Sequence, residues 1–230
     1  MLSEERRIAP IAHIESDLPT KFGLPRQSGL VEQLAARIVF EPLYRDPVAF
    51  RGLEGYSHLW LIWGFSENNR DAWAATVKPP RLGGNTRMGV FATRSPYRPN
   101  ALGLSCVRLA GIEFTEKRGP VLTVAGADLM DGTPIYDVKP YLPFTDSRPD
   151  AAAGFAGEVF GHSLRVVFPP ALLEKIPPNR REALFGILAQ DPRPAYIDDP
   201  RRRYGFNYLT YDVRFTVEGD TLTVVEIADL

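Results

Sequence analysis

One cysteine, Cys106, stands among 230 residues, so no intrachain disulfide can form. The three histidines, His13, His58 and His162, are far apart. With a single cysteine they lack the ligand clustering that a zinc or iron site needs, so no metal is expected. No apolar run is long enough to span a bilayer; the longest, around His58 to Phe65, has strand length. The start, Met1 to Pro10, is charged and has no apolar h-region, which argues against a secretory signal and for the cytoplasm. Neither a strand-linked G-x-G-x-x-G turn nor G-x-x-x-x-G-K-[ST] occurs, which counts against a dinucleotide-binding Rossmann unit and a P-loop.

Charge is scarce in net terms but unevenly placed. A formal net charge of −1 argues against a strongly basic nucleic-acid binder. Between Asp71 and Glu113, however, no carboxylate occurs, while Lys78, Arg81, Arg87, Arg94, Arg98 and Arg108 all fall inside. A second basic run is Arg201-Arg202-Arg203. Local patches of this kind attract phosphate even on a neutral protein. The plainer alternative is a solvated face whose arginines meet nearby acids.

What the chain does have is period-two alternation. Strands are predicted over Arg7 to Glu15, Ala36 to Glu41, Ser57 to Phe65, Arg87 to Arg94, Leu102 to Ile112, Val121 to Ala127 and Thr133 to Val138. Turn material such as Leu82-Gly83-Gly84-Asn85 and Asp131-Gly132-Thr133-Pro134 separates them. Many short strands at this spacing imply a closed or nearly closed antiparallel sheet. Cys106 falls in one of them and reads as a buried core thiol, and His58 as a structural histidine in an apolar strand. The proline-rich segment Lys139 to Asp150 and the small-residue run after it mark a boundary. Beyond lies one helix, with Asn179 as its cap, Glu182 as capping-box partner, Leu184, Ile187 and Leu188 as its stripe, and Asp191-Pro192 as its end. A hairpin of Phe206 to Val217 and Thr221 to Ile227 follows. The expected architecture is mainly β: a single-sheet antiparallel β-barrel over residues 1–150, a linker over 151–164, and a small α+β C-terminal domain over 165–230.

Three loops gather polar residues suited to a zwitterionic, adenine-bearing ligand. In Pro25-Arg26-Gln27 an arginine can pair with a carboxylate and an amide offers both donor and acceptor. In Ala92 to Asn100 two prolines stiffen a segment carrying Arg94, Tyr97 and Arg98. The third, Asp128-Leu129-Met130-Asp131, leaves a strand and presents two carboxylates at a turn, although Asp131-Gly132 is also an ordinary turn dipeptide.

Taken together these stretches resemble the TsaA-like (TrmO) family. The resemblance is carried by Lys21 to Gln27, Arg51 to Trp60, Pro79 to Asn85, Met88 to Asn100, Asp128 to Pro134 and Asp137 to Pro143, in the family's order. Gln190 to Tyr196 also looks like the bacterial subgroup. The resemblance implies a β-barrel that binds S-adenosylmethionine, a homodimer with the cofactor near the subunit interface, and tRNA as substrate. The implied reaction is N6-methylation of threonylcarbamoyl-adenosine beside the anticodon. Carried over by position, the cofactor contacts are Pro25, Arg26, Gln27, Arg94, Leu104, Asp128, Leu129, Met130 and Asp131. The segment after the Trp60 strand belongs to the same pocket; it reads Ser66-Glu67 here, where family members often have a histidine.

A urea nitrogen has a delocalised lone pair, so its attack benefits from removal of the N6 proton. Asp128, Asp131, Lys139 and Tyr141 are the candidate helpers, and Lys139 and Tyr141 could instead hold phosphate or the threonyl carboxylate. Arg98, Arg193, Arg201, Arg202 and Arg203 are the further candidate tRNA contacts. Two other readings compete: the same cofactor with a different methyl acceptor, and a non-enzymatic nucleotide- or RNA-binding barrel.

Overall fold

A computed structural model describes residues 7–67, 72–79, 86–158, 161, 163–193, 199 and 201–230. The expected turn Leu82-Gly83-Gly84-Asn85, Arg81, His162 and the stretch Pro194-Ala195-Tyr196 lie outside these residues.

In chain order the first strands are β1 (Ala12–Ser16), β2 (Ala35–Phe40), β3 (His58–Gly64), β4 (Thr76–Val77), β5 (Met88–Gly89), β6 (Leu102–Thr115), β7 (Gly119–Ala125) and β8 (Pro134–Pro140). Six of them close into a barrel in the order β1-β2-β7-β6-β3-β8, every neighbouring pair antiparallel. Alternation drives the closure, because one face of each strand is apolar. Ile14, Ile38, Leu59, Leu61, Val107, Leu122, Val124 and Ile135 point inward and are buried. Closure also removes the unpaired edges that would recruit other strands. β4 and β5 form a separate two-stranded ribbon.

The second unit holds β9 (Arg165–Val167), β10 (Tyr204–Tyr208), β11 (Tyr211–Glu218) and β12 (Thr221–Asp229), ordered β10-β11-β12-β9, with β9 parallel to β12. Among the described residues the helices are α1 (Pro143–Asp146), α2 (Phe155–Glu158), α3 (Pro170–Leu173) and α4 (Pro178–Ala189). The Trp60 indole ties α1 to the barrel by donating to Asp146 at 2.9 Å, while α3 and α4 pack on the second sheet. α4 buries Ala183, Leu184, Ile187 and Leu188, a spacing that puts all of them on one face.

The two units share a wall. Leu18, Val31 and Leu34, from the connection between β1 and β2, lie in the same core as Leu184, Phe206, Phe215 and Leu222. Gly23 shows how close the approach is: its φ of +87° suits glycine, and a Cβ there would sit 2.3 Å from the Phe206 ring. Asp17 pairs with Arg180 of α4 at 3.1 Å, and the Leu209 amide donates to the Asp17 carbonyl at 2.7 Å.

The expected barrel and following α+β unit are present, but several elements differ in detail. The predicted strand Arg87 to Arg94 shrinks to Met88–Gly89 and passes into a 3-10 turn over Val90–Ala92. The hairpin strand expected over Phe206 to Val217 is two strands, split at Leu209, whose φ is +54°. Asn179 does not cap α4. The helix starts at Pro178, preceded by Pro177 in an extended conformation with no side-chain cap, because proline's fixed φ and missing amide suit the first helical position. Cys106 is half-buried rather than in the core, since its neighbours Ser105 and Val107 take the inward positions of β6. His58 is likewise half-exposed on the outward side of β3, where Nδ1 pairs with the Ser57 hydroxyl at 2.9 Å.

Candidate active site

A cavity of about 640 Å3 opens at one end of the barrel. Three groups of residues line it: Leu24, Pro25, Arg26 and Gln27 from the β1–β2 connection; Thr93, Arg94, Pro96, Tyr97 and Arg98 from the stiffened loop before β6; and Asp128, Leu129 and Met130 after β7. Trp63, Phe65, Ser66 and Glu67 at the end of β3, and Leu102 to Leu104 at the start of β6, complete the wall. Strands antiparallel to one another deliver these segments to the same end, because β3 finishes where β6 begins: Gly64 pairs with Leu102.

Hydrogen bonds fix the polar groups. The Arg94 guanidinium donates to the Gln27 side-chain carbonyl, joining two of the loops directly. Arg26 donates to the main-chain carbonyl of Asp191 at 3.2 Å, so a cavity arginine is held from the second unit. Arg98 donates to the Thr93 carbonyl at 3.0 Å, which shapes its own loop. Glu67 pairs with Lys21 at 3.3 Å across the mouth. The Trp63 indole donates to the buried Ser105 hydroxyl at 3.0 Å, and that hydroxyl donates to Asp128 at 2.6 Å. Burial pushes the Asp128 carboxyl above the ordinary carboxylate range. The Ser105 hydrogen bond opposes the shift most, followed by backbone donors and the positive charge of Arg94.

Of the expected cofactor contacts, Pro25, Arg26, Gln27, Ser66, Glu67, Arg94, Leu104, Asp128, Leu129 and Met130 all line this cavity. Asp131 does not. Its carboxylate turns away to accept the Ser16 amide at 3.0 Å, as the turn dipeptide reading anticipates. Lys139 and Tyr141 are also elsewhere: Lys139 points outward from β8 and pairs with Asp137 at 2.8 Å, while Tyr141 packs against the rings of His58 and Trp60. Among the candidate tRNA contacts, Arg98 lines the cavity and Arg201, Arg202 and Arg203 are exposed. Arg193 is not a surface cation. Its guanidinium grips the Asp191 carboxylate at 2.8 and 3.0 Å, and both side chains are largely buried.

The chain matches the family model described as tRNA-methyltransferase O N-terminal domain over residues 13–147, and the TrmO C-terminal domain over residues 162–230. The chain belongs to the TrmO family. It is 44% identical over 215 residues to the tRNA (adenine(37)-N6)-methyltransferase of Escherichia coli K12, covering 90% of this chain and 91% of that one. It is 36% identical over 239 residues to a Pseudomonas aeruginosa protein named putative S-adenosylmethionine-dependent methyltransferase RcsF, covering 96% and 97%. Two solved structures of TrmO from P. aeruginosa superpose on it with TM-scores of 0.79 and 0.78, at 33% and 31% identity, each covering at least 98% of both chains.

The cavity has a set of polar groups that fits S-adenosylmethionine. Its volume lies within the roughly 300–1,000 Å3 of small-molecule sites. Arg26 and Arg94 can take a carboxylate, Asp128 can take an ammonium or ribose hydroxyl, and the rings of Trp63, Phe65 and Tyr97 offer faces to a cation or a base. Among the described residues no group of three or more His, Cys, Asp or Glu is placed to hold a metal ion. Among them, too, no helix is long and apolar enough to cross a membrane.

Sequence reasoning missed Trp63, Phe65 and Ser105 as parts of this site, while Tyr97 of the stiffened loop lines the cavity as expected. One signal was available: Gly103 sits in a strand interior, where glycine marks a close approach. A Cβ at Gly103 would lie 2.2 Å from the Trp63 ring, so the glycine leaves room for the indole that supports Ser105 and Asp128.

Proposed function

We propose that this protein is an S-adenosylmethionine-dependent methyltransferase that methylates N6 of adenosine 37 in tRNA, with threonylcarbamoyl-adenosine as the acceptor. The observation that carries the reading is the convergence of Arg26, Gln27, Arg94 and Asp128 on one cavity from three separate loops. The match to TrmO relatives over nine-tenths of the chain gives that cavity its chemistry.

Arg26 and Arg94 hold the cofactor's carboxylate, and the apolar wall of Leu24, Trp63, Phe65 and Leu129 excludes water from the reacting centre. Bound S-adenosylmethionine supplies an electrophilic methyl group on a sulfonium. What remains for the protein is to place the acceptor nitrogen and to receive its proton. Asp128 is the one of the four candidate helpers that lines the cavity, and its raised affinity for a proton suits it to that task. Asp131, Lys139 and Tyr141 are left to positioning or RNA contact. The exposed arginines at 201–203 give the 165–230 region a grip on the tRNA backbone.

The functional unit in this reading is a homodimer in the cytoplasm. Leu104 is 52% exposed and Leu102 37% exposed on β6 at the cavity, an apolar surface that a second copy would cover.

Methyl-labelled cofactor, the protein and tRNA bearing threonylcarbamoyl-adenosine test this directly. Label recovered on N6 of that nucleoside is the expected result. Label on another nucleoside would reassign the acceptor, and no transfer to any RNA would overturn the enzymatic reading.

A further inference from the structure

We propose that Trp73 and Phe91 form a stacking platform for unpaired nucleobases of the RNA substrate, beside the cavity and separate from the cofactor contacts. The inference rests on the tRNA methyltransferase reading and adds a subsite to it.

Large aromatic rings on a surface lose little by being covered and normally are covered. Trp73 is 53% exposed and Phe91 is 73% exposed, yet the two lie nearly parallel, 21° apart, with centroids separated by 6.4 Å. Their backbone is anchored. Thr76 and Val77 pair with Gly89 and Met88 across the β4–β5 ribbon, and the Val90 amide donates to the Ala75 carbonyl at 3.0 Å. The Ala74 amide donates to the Tyr97 carbonyl at 2.9 Å, and the Tyr97 side chain lines the cavity. The pair is therefore presented by segments hydrogen-bonded to one another and to the loop that lines the cavity.

The surrounding charge selects the occupant. From residue 72 to residue 112 there is no carboxylate, and Lys78 and Arg87, neither of them a cavity residue, are exposed in that stretch. Aromatic faces interleaved with cations, and without acids, suit a single-stranded nucleic acid: the rings take bases and the cations take phosphates. Sequence-specific RNA recognition targets loops whose bases can be splayed onto such rings. An anticodon loop offers unpaired bases on both sides of its position 37. A base flanking the target adenosine, stacked on Trp73 and Phe91, would turn the loop so that the adenosine enters the cavity.

The experiment measures affinity for a fluorescent anticodon stem-loop bearing threonylcarbamoyl-adenosine at position 37 across a salt series, using the full chain and its Trp73→Ala, Trp73→Phe and Phe91→Ala variants. Base–aromatic stacking predicts roughly 5- to 150-fold weaker RNA binding for each alanine variant. The salt slope should be unchanged, because no phosphate contact is lost. Trp73→Phe should recover most of the affinity, and cofactor affinity should stay the same throughout. Unchanged RNA affinity in both alanine variants would overturn the proposal. So would a fall in sedimentation mass on either alanine substitution, which would assign the rings to an interface between copies of this chain. Methyl transfer by the wild-type chain to the same RNA tests the parent reading separately, since the affinity ratio does not depend on turnover.

Discussion

The barrel and the C-terminal unit are built from the same alternation but use it differently. The barrel's interior is apolar until one end, where strand ends and stiffened loops bring together arginines, an amide and a half-buried carboxylate. In the C-terminal unit the buried residues form a continuous apolar core of Leu184, Tyr208, Phe215, Leu222 and Val224, and that core extends under Leu18, Val31 and Leu34. The lesson is a division of labour across a shared wall. The loop that supplies Arg26 to the cavity is packed on the second unit, and Arg26 itself is held by the Asp191 carbonyl. Chemistry resides in the barrel, while part of its precision is set from outside it.

The largest effect should separate stability from binding. Phe215 is 1% exposed in the C-terminal core, so Phe215→Ala should cost about 3–5 kcal/mol of folding free energy, read by urea denaturation. Arg94→Ala, at an exposed position, should leave the unfolding midpoint unchanged and weaken cofactor binding by roughly 10- to 150-fold in calorimetry. Equal loss of stability in both would erase the distinction between the two regions.

A third change addresses the wall itself. Arg193→Met frees Asp191, whose φ is +53°, from the guanidinium that holds its carboxylate. The Arg26 contact then loosens, and cofactor affinity should fall by about fivefold with turnover at saturating cofactor preserved, while Arg193→Lys should fall between. A drop in saturated turnover without a change in affinity would place Arg193 in another role.

The Asp128 proton gives a pH signature. Its carboxyl is raised by burial, so the folded chain holds that proton to higher pH than the unfolded chain does. The group's burial therefore weakens stability as pH rises between the two values, and the proton-accepting form appears only above the folded one. The acid limb of kcat/KM should lie above the ordinary carboxylate range of about 3.9. Ser105→Ala removes the hydrogen bond that lowers this value and should shift the limb upward; Asp128→Asn should abolish it. A limb unmoved by Ser105→Ala would remove Asp128 as the proton acceptor.

The smallest effect belongs to the exposed run at the far end. Replacing Arg201, Arg202 and Arg203 together by alanine should weaken tRNA binding and flatten the log–log salt dependence by at most about three units. Unaltered binding at every salt concentration would detach this region from RNA recognition.

The barrel was legible because alternation with turn residues is a local signal, and the three cofactor loops because their polar residues stand out against apolar strands. What was not legible depended on closure. Sequence placed two carboxylates at one turn but could not say that Asp128 faces Ser105 of a distant strand while Asp131 faces the Ser16 amide. Ser105 lies within a strand whose sequence carries no ligand signal, and only barrel closure sets it between Trp63 and Asp128. Arg193 read as a surface cation because its partner, Asp191, reaches it only after α4 ends in a left-handed turn. Leu209 hid the turn between β10 and β11 because leucine gives no turn signal.

The most direct test is a crystal structure of the protein grown with S-adenosylmethionine. The account predicts ligand density in the barrel-end cavity, with its carboxylate within hydrogen-bond reach of Arg26 or Arg94 and Asp128 against a polar group of the same molecule. Ordered density elsewhere, for instance in the depression bordered by Arg37, Glu113 and Arg180, with the barrel-end cavity empty, would contradict it.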